Sequence, residues 1–213
     1  MHHTQALILK REEWGEADWL VSALTPHFGK IRLRAQGARK HGAKLQGHLE
    51  PGALTNISLV VGRGGLRLIT ARLRETFPGI RGSWPKLRAL WAVLAVADAN
   101  LLEERDGAPG VFAAATEALA AIEMARDTAA LSRAVAWLNV RLIAALGLLP
   151  AADTPEAHGI PTLLTLAAGP AALPADQAPV AAAEPELLTA ELGRLASVLG
   201  SAARVVPLSA GAL

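Results

Sequence analysis

The 213-residue chain sets 21 Lys+Arg against 19 Asp+Glu, for a net charge of +2, and contains neither Cys nor Tyr. Without Cys there can be no disulfide framework, no Cys-ligated zinc or iron–sulfur centre and no thiol nucleophile. Apolar residues make up 52% of the chain, but 45 of them are alanines; that composition signals helix packing and fits no collagen-like, disordered or coiled-coil class.

The first third reads as short strands. Gln5–Arg11 is an apolar run, and Trp19–Thr25 is a second, closed by Pro26 and Gly29. Lys30-Ile31-Arg32-Leu33-Arg34-Ala35-Gln36 alternates strictly, so Ile31, Leu33 and Ala35 point one way and Lys30, Arg32, Arg34 and Gln36 the other. Asn56–Val61 and Leu66–Arg74 flank Gly62-Arg63-Gly64-Gly65, the pattern of a hairpin. Five short strands with glycine-rich turns predict a small closed barrel, OB-like or SH3-like.

After Phe77-Pro78-Gly79 the period changes from two to about 3.6. Ser83 can cap a helix with Pro85 in its first turn, and Leu87, Leu90, Trp91, Leu94 and Ala97 follow at helical spacing until Gly107 and Pro109. Val111, Ala115, Ala118, Leu119 and Ile122 predict a second helix. Asp127 or Thr128 can cap a third, with Leu131, Val135, Leu138 and Leu142 buried and Gly147 at its end. A last helix is expected over Glu186–Leu199. The fold class is therefore α+β, an N-terminal barrel over 1–78 followed by an α-helical bundle domain over 79–213. Within the second domain, Pro and Ala crowd a segment at about 151–185, expected to be irregular or linker-like.

Resolved along the chain, the charge is uneven. Residues 1–76 carry 12 basic and 6 acidic groups, residues 77–150 carry 7 of each, and residues 151–213 carry 2 basic and 6 acidic. A basic end on a neutral and acidic body suggests a polyanion-binding module. Its centre is the cationic face of the alternating strand, with a repeat of about 6.5–7 Å, followed by the glycine-hinged loop Gly37-Ala38-Arg39-Lys40-His41-Gly42-Ala43-Lys44. Candidate nucleic-acid contacts are Lys30, Arg32, Arg34, Arg39, Lys40 and Lys44, with Arg63 and Arg67 extending the surface. Trp14 sits in a polar context where it can be exposed, whereas Trp19 and Phe28 are expected in the core.

Catalytic constellations are thin. Glu12, Glu13, Glu16 and Asp18 bracket a turn, lack metal-site spacing and read as a solvated loop. The glycines at 62–65 precede no helix, and neither a P-loop nor a nucleophile elbow is present, so no enzymatic activity is expected. The first residues contain no apolar stretch of signal-peptide length before Lys10, and prolines interrupt the longest uncharged stretch, Ala157–Ala175. A cytoplasmic protein with no membrane association is expected.

The succession Gly15-Glu16-Ala17-Asp18, Leu24-Thr25, Gly29-Lys30, Gly37-Ala38-Arg39-Lys40, Leu45-Gln46-Gly47 and Glu50-Pro51 resembles the RecO family of DNA repair proteins. The resemblance covers about the first 75 residues. It implies an OB-fold domain followed by a helical domain, in a nucleoid-associated recombination mediator. Such a protein binds single- and double-stranded DNA, anneals complementary strands and, with RecR, helps load RecA onto strands coated by single-strand-binding protein (SSB), whose C-terminal tail would be a further partner on helical faces around Leu87–Leu102 and Val135–Leu146. Many members carry a four-Cys zinc module after a segment like Leu146–Pro150; this chain has no Cys there, so no zinc or other cofactor is expected. The alternative reading is a protein-interaction adaptor whose basic barrel meets an acidic partner.

Overall fold

A computed structural model describes residues 1–103, 109–151, 153–168 and 185–200. The chain divides into two compact units: Met1–Phe77 with Leu101–Phe112, and Pro78–Asn100 with Ala113–Leu213.

In the first unit, strands β1 (His2–Trp14), β2 (Asp18–Thr25), β3 (Gly29–Ala35), β4 (Leu54–Gly62) and β5 (Gly65–Glu75) close into a barrel of order β1-β2-β3-β5-β4. All neighbours are antiparallel except β3 and β5, which run parallel through Leu33↔Leu66 and Arg34↔Arg67. Of the two barrels predicted, this is the OB-like one. Alternation on β3 works as the sequence requires: Ile31, Leu33 and Ala35 join Ala6, Ile8, Val21, Ala23, Ile57, Leu59 and Leu68 in the barrel core. Trp19 and Phe28 pack partly buried against that core, as expected.

Three irregularities shape the wall. The register of β1 against β2 shifts between Ile8 and Lys10, and that of β4 against β5 shifts between Leu54 and Thr55 and again between Ser58 and Leu59. Each shift is a bulge that bends the strand, as closing a small barrel demands.

The second unit is helical. It contains α1 (Pro78–Arg81), α2 (Trp84–Asn100), most of α3 (Pro109–Met124), α4 (Thr128–Ala145), α5 (Pro155–His158), α6 (Pro161–Ala168) and α7 (Pro185–Leu199). Helix α2 packs on α1 and α4, and α4 packs on α6 and α7. The Asp127 carboxylate caps α4 by accepting the Ala130 N–H at 2.7 Å, and Gly147 with φ +69° follows the helix end. Val135, Leu138 and Leu142 are buried there. Pro85 lies in the first turn of α2, as predicted. The helix ends at Asn100, and its predicted stop at Gly107 lies outside the described residues.

The Pro/Ala-rich segment is more ordered than expected where it is described. Pro155 and Pro161 each open a short helix, because proline is pre-set for the first helical position and has no N–H to lose there. Residue 152 and residues 169–184 of that segment lie outside the described residues. Among the described residues, no helix is long and apolar enough to cross a membrane.

Candidate nucleic-acid interface

The residues around the β1–β2 turn are tied to the end of β3 and the loop after it by five contacts. The Asp18 carboxylate accepts the Gly37 N–H at 2.7 Å and the Arg34 Nε–H at 2.5 Å. The Arg39 N–H donates to the Ala17 carbonyl at 2.8 Å, its Nη1 donates to the Gly15 carbonyl at 3.1 Å, and its Nη2 pairs with Glu13 at 2.7 Å. The loop itself descends through successive turns, with Lys40 N–H donating to Gly37, Ala43 N–H to Lys40 and Gln46 N–H to Ala43. Gly37 and Gly42 hold positive φ of +68° and +74°, the left-handed region in which a Cβ is strained.

Of the four acidic residues expected to be solvated, Glu12, Glu13 and Glu16 are exposed and Asp18 is not. Asp18 is buried; the Gly37 N–H, and then the Arg34 guanidinium, hold its carboxyl below the usual carboxylate range. Arg11 and Arg39 both lie over the Trp19 ring, at 4.9 and 5.5 Å from its centroid, and Glu50 holds Arg11 at 2.7 Å. Trp14, on the same turn, is 51% exposed.

The predicted cations separate into groups. Lys30 does not share the exposed face: it is buried, because the stretch Leu101–Glu103 runs beside the start of β3 and Glu103 bridges to it in parallel. Arg32 lies between two carboxylates, Glu12 at 3.4 Å and Glu103 at 3.5 Å. Arg34 is paired with Asp18 and Arg39 with Glu13. Lys40, Lys44, Arg63 and Arg67 are exposed and make no ion pair among the described residues.

Sequence reasoning missed two further exposed cations, Arg72 and Arg74 on β5. Strict alternation would put Arg67 and Arg72 on opposite faces, since they are an odd number of residues apart. The bulge absorbs the extra residue: Leu68 pairs with Leu59, Thr70 with Ser58 and Arg72 with Asn56, so Ile69 has no partner of its own. Arg67 and Arg72 therefore both face outward, and Arg74, the extra residue of a second shift opposite Leu54 and Thr55, is exposed as well. The only signal in the sequence was the three arginines themselves; the bulge is set by β4.

Comparison with known proteins bears on the same stretch. Residues 1–77 match the family model described as "Recombination protein O N terminal". The chain is 38% identical over 88 residues to a protein of Gloeothece citriformis named DNA repair protein RecO, covering 41% of this chain and 31% of that one. Its likeness to the protein of that name from Roseiflexus is 34% over 107 residues, covering 50% of this chain and 37% of that one. With that of Salinibacter ruber it is 28% over 171 residues, covering 78% and 65%. The matched stretch spans about a third of the first two relatives' length. Over residues 1–77 the chain is thus similar to the N-terminal part of the RecO family, and beyond the barrel it is similar to the DNA repair protein RecO of Salinibacter ruber.

Proposed function

We infer that the chain is a DNA-binding recombination mediator acting in DNA repair. Residues 1–78 form its DNA-binding module and 79–213 its helical body. It binds single- and double-stranded DNA, anneals complementary strands and, with RecR, assists RecA loading onto SSB-coated strands. The observation that carries this reading is a rigid basic lip on an OB-like barrel. Lys40 and Lys44 stand exposed, with no ion pair among the described residues, on a loop fixed by Asp18 and Arg39. The repair role comes from the names of the relatives, each a DNA repair protein RecO.

Physically, annealing needs no bond chemistry. A cationic surface that holds two strands lowers their mutual repulsion and raises their local concentration, so pairing proceeds without ATP. With aromatic platforms scarce, affinity is mostly electrostatic, strongly salt-dependent and weakly selective for sequence. For the SSB tail, α2 is the better of the two faces anticipated: Trp84 and Trp91 are 71% and 52% exposed, whereas the α4 face is core.

The test is fluorescence anisotropy of an unstructured labelled oligonucleotide across salt concentrations, with annealing of complementary strands measured in parallel. Affinity is expected to fall linearly on log–log axes, by a similar amount for unrelated sequences. A flat salt response rejects the phosphate grip and leaves the adaptor reading.

A further inference from the structure

The alternating strand β3 was the natural place to seek the phosphate grip, but its arginines are already spent on carboxylates. Arg32 sits between Glu12 and Glu103, and Arg34 lies on the buried Asp18. A phosphate arriving there must displace a carboxylate of the protein itself. It then exchanges one ion pair for another of similar worth, and releases few counterions from the nucleic acid.

Strand β5 is different. Arg67, Arg72 and Arg74 are exposed and form no ion pair among the described residues. The antiparallel neighbour β4 reads Leu-Thr-Asn-Ile-Ser-Leu-Val-Val-Gly and carries no acidic residue. The one carboxylate on β5, Glu75, is turned back on the chain: its Oε1 accepts the N–H groups of Thr76 at 2.9 Å and Phe77 at 3.0 Å. Arg72 and Arg74 are two residues apart, and a second register shift leaves Arg74 without a partner on β4, between Leu73 opposite Thr55 and Glu75 opposite Leu54. Beyond the bulge, Arg67 stands level with Arg34 in the parallel register. Between them Ile69 and Thr70 are exposed, an apolar and a hydroxyl surface for sugar or base.

We propose that this β5 ridge, Arg67–Arg72–Arg74, is the principal phosphodiester track of the barrel, and that the β3 arginines serve mainly to lock the acidic turn and the basic loop in place. The ligand is the backbone of an unpaired nucleic-acid strand, lying along β5 from the bulge towards Glu75. This rests on the DNA-binding reading above and moves its centre from the loop after β3 to β5.

The test uses the full 213-residue chain and a labelled oligothymidylate, with thermal melting as a control for folding. Arg72→Ala/Arg74→Ala is expected to weaken binding roughly tenfold at ~0.1 M salt and to make the log–log salt slope shallower by about 1.4, the share of two phosphate contacts to a single strand. Arg72→Lys/Arg74→Lys should keep the wild-type slope, since lysine retains the charge. Arg32→Ala/Arg34→Ala should lose less than about threefold. Wild-type affinity and slope in Arg72→Ala/Arg74→Ala overturn the ridge while leaving the barrel a DNA binder. So does an equal loss in a folded Arg32→Ala/Arg34→Ala, or displacement of the oligonucleotide by polyglutamate as readily as by unlabelled oligothymidylate. If the wild-type chain does not bind at all, the DNA reading fails and the ridge falls with it.

Discussion

Asp18 accepts the backbone N–H of Gly37 at 2.7 Å, across a separation of 19 residues, while Gly37 itself holds φ +68°. One carboxylate thus fixes where β3 ends and where the basic loop begins, and it turns Arg34 by the same contact. Asp18→Asn keeps one acceptor for the amide but loses the charge that holds Arg34. The expected result is a lower melting temperature and faster hydrogen exchange at the amides of Gly37 and Arg39, while the barrel strands stay protected. Exchange followed by NMR checks this; unchanged protection at Gly37 would show that the loop is held without Asp18.

The same carboxyl sets a pH dependence. Its folded pKa lies below the ordinary value of 3.8, because the Gly37 N–H and the Arg34 guanidinium favour the charged form. Its contribution to stability is therefore fully present above the unfolded pKa and is lost as pH falls through the lower, folded one. Urea unfolding between about pH 3 and pH 6 should show stability falling at the acidic end, with a shallower fall in Asp18→Asn. Equal acid slopes in the two proteins would assign the loss to other carboxylates.

Gly37 supplies a separate check on the loop. A Cβ built there meets only the Lys40 side chain, at 3.8 Å, so there is room for it. The left-handed backbone is what an alanine would strain. Gly37→Ala is expected to cost about 1–2 kcal/mol, read from urea midpoints, whereas Gly47→Ala, with no positive φ and nothing within 4 Å, should change little.

How far these relationships could be read in advance differs by kind. The strands of the barrel were legible because each is a short apolar or alternating run between glycines, and Ile31, Leu33 and Ala35 fell on the predicted face. The pairings were not legible. Asp18 looked like one more acidic turn residue, and only the closeness of residue 37 to the β1–β2 turn makes it a buried anchor. Lys30 fitted the exposed stripe perfectly, yet it is buried, and its backbone bridges to Glu103, over 70 residues away in sequence. Arg72 was hidden by a bulge that depends on β4, because period-two reasoning assumes an unbroken ladder. Local periodicity finds elements; the electrostatics of the candidate site follow from register and from contacts distant in sequence.

In the helical unit, Glu191 on α7 is 1% exposed and accepts the N–H groups of Leu163 at 2.9 Å and Thr162 at 3.3 Å. It caps the first turn of α6 from another helix, satisfying amides that have no intrahelical partner. Glu191→Ala removes that cap and leaves a cavity, at an expected cost of about 2–3 kcal/mol. Glu191→Gln, which keeps an acceptor oxygen, should lose less. Chemical denaturation of both variants measures the order; equal losses would show that the charge, not the capping oxygen, is what matters.

Glu103 yields the prediction that joins the fold to the proposed function. Its carboxylate lies 3.5 Å from Arg32, and its backbone bridges to Lys30, so a stretch from beyond α2 lays a negative charge on the basic strand. Both partners of the Arg32 pair are well exposed, so breaking it should cost less than about 1 kcal/mol of stability. Removing the charge with Glu103→Gln leaves the backbone bridge intact and takes one repulsive group away from an approaching phosphate chain. Binding of an unstructured oligonucleotide is expected to tighten about two- to threefold at low salt, with the gain fading above the salt concentration at which such exposed charges are screened. Anisotropy titrations at ~0.05 and ~0.3 M salt separate the outcomes. A gain that persists undiminished at high salt would point to a rearranged loop instead of relieved repulsion, and no gain at either salt would show that the Glu103 charge is not felt by a strand lying on the β5 arginines.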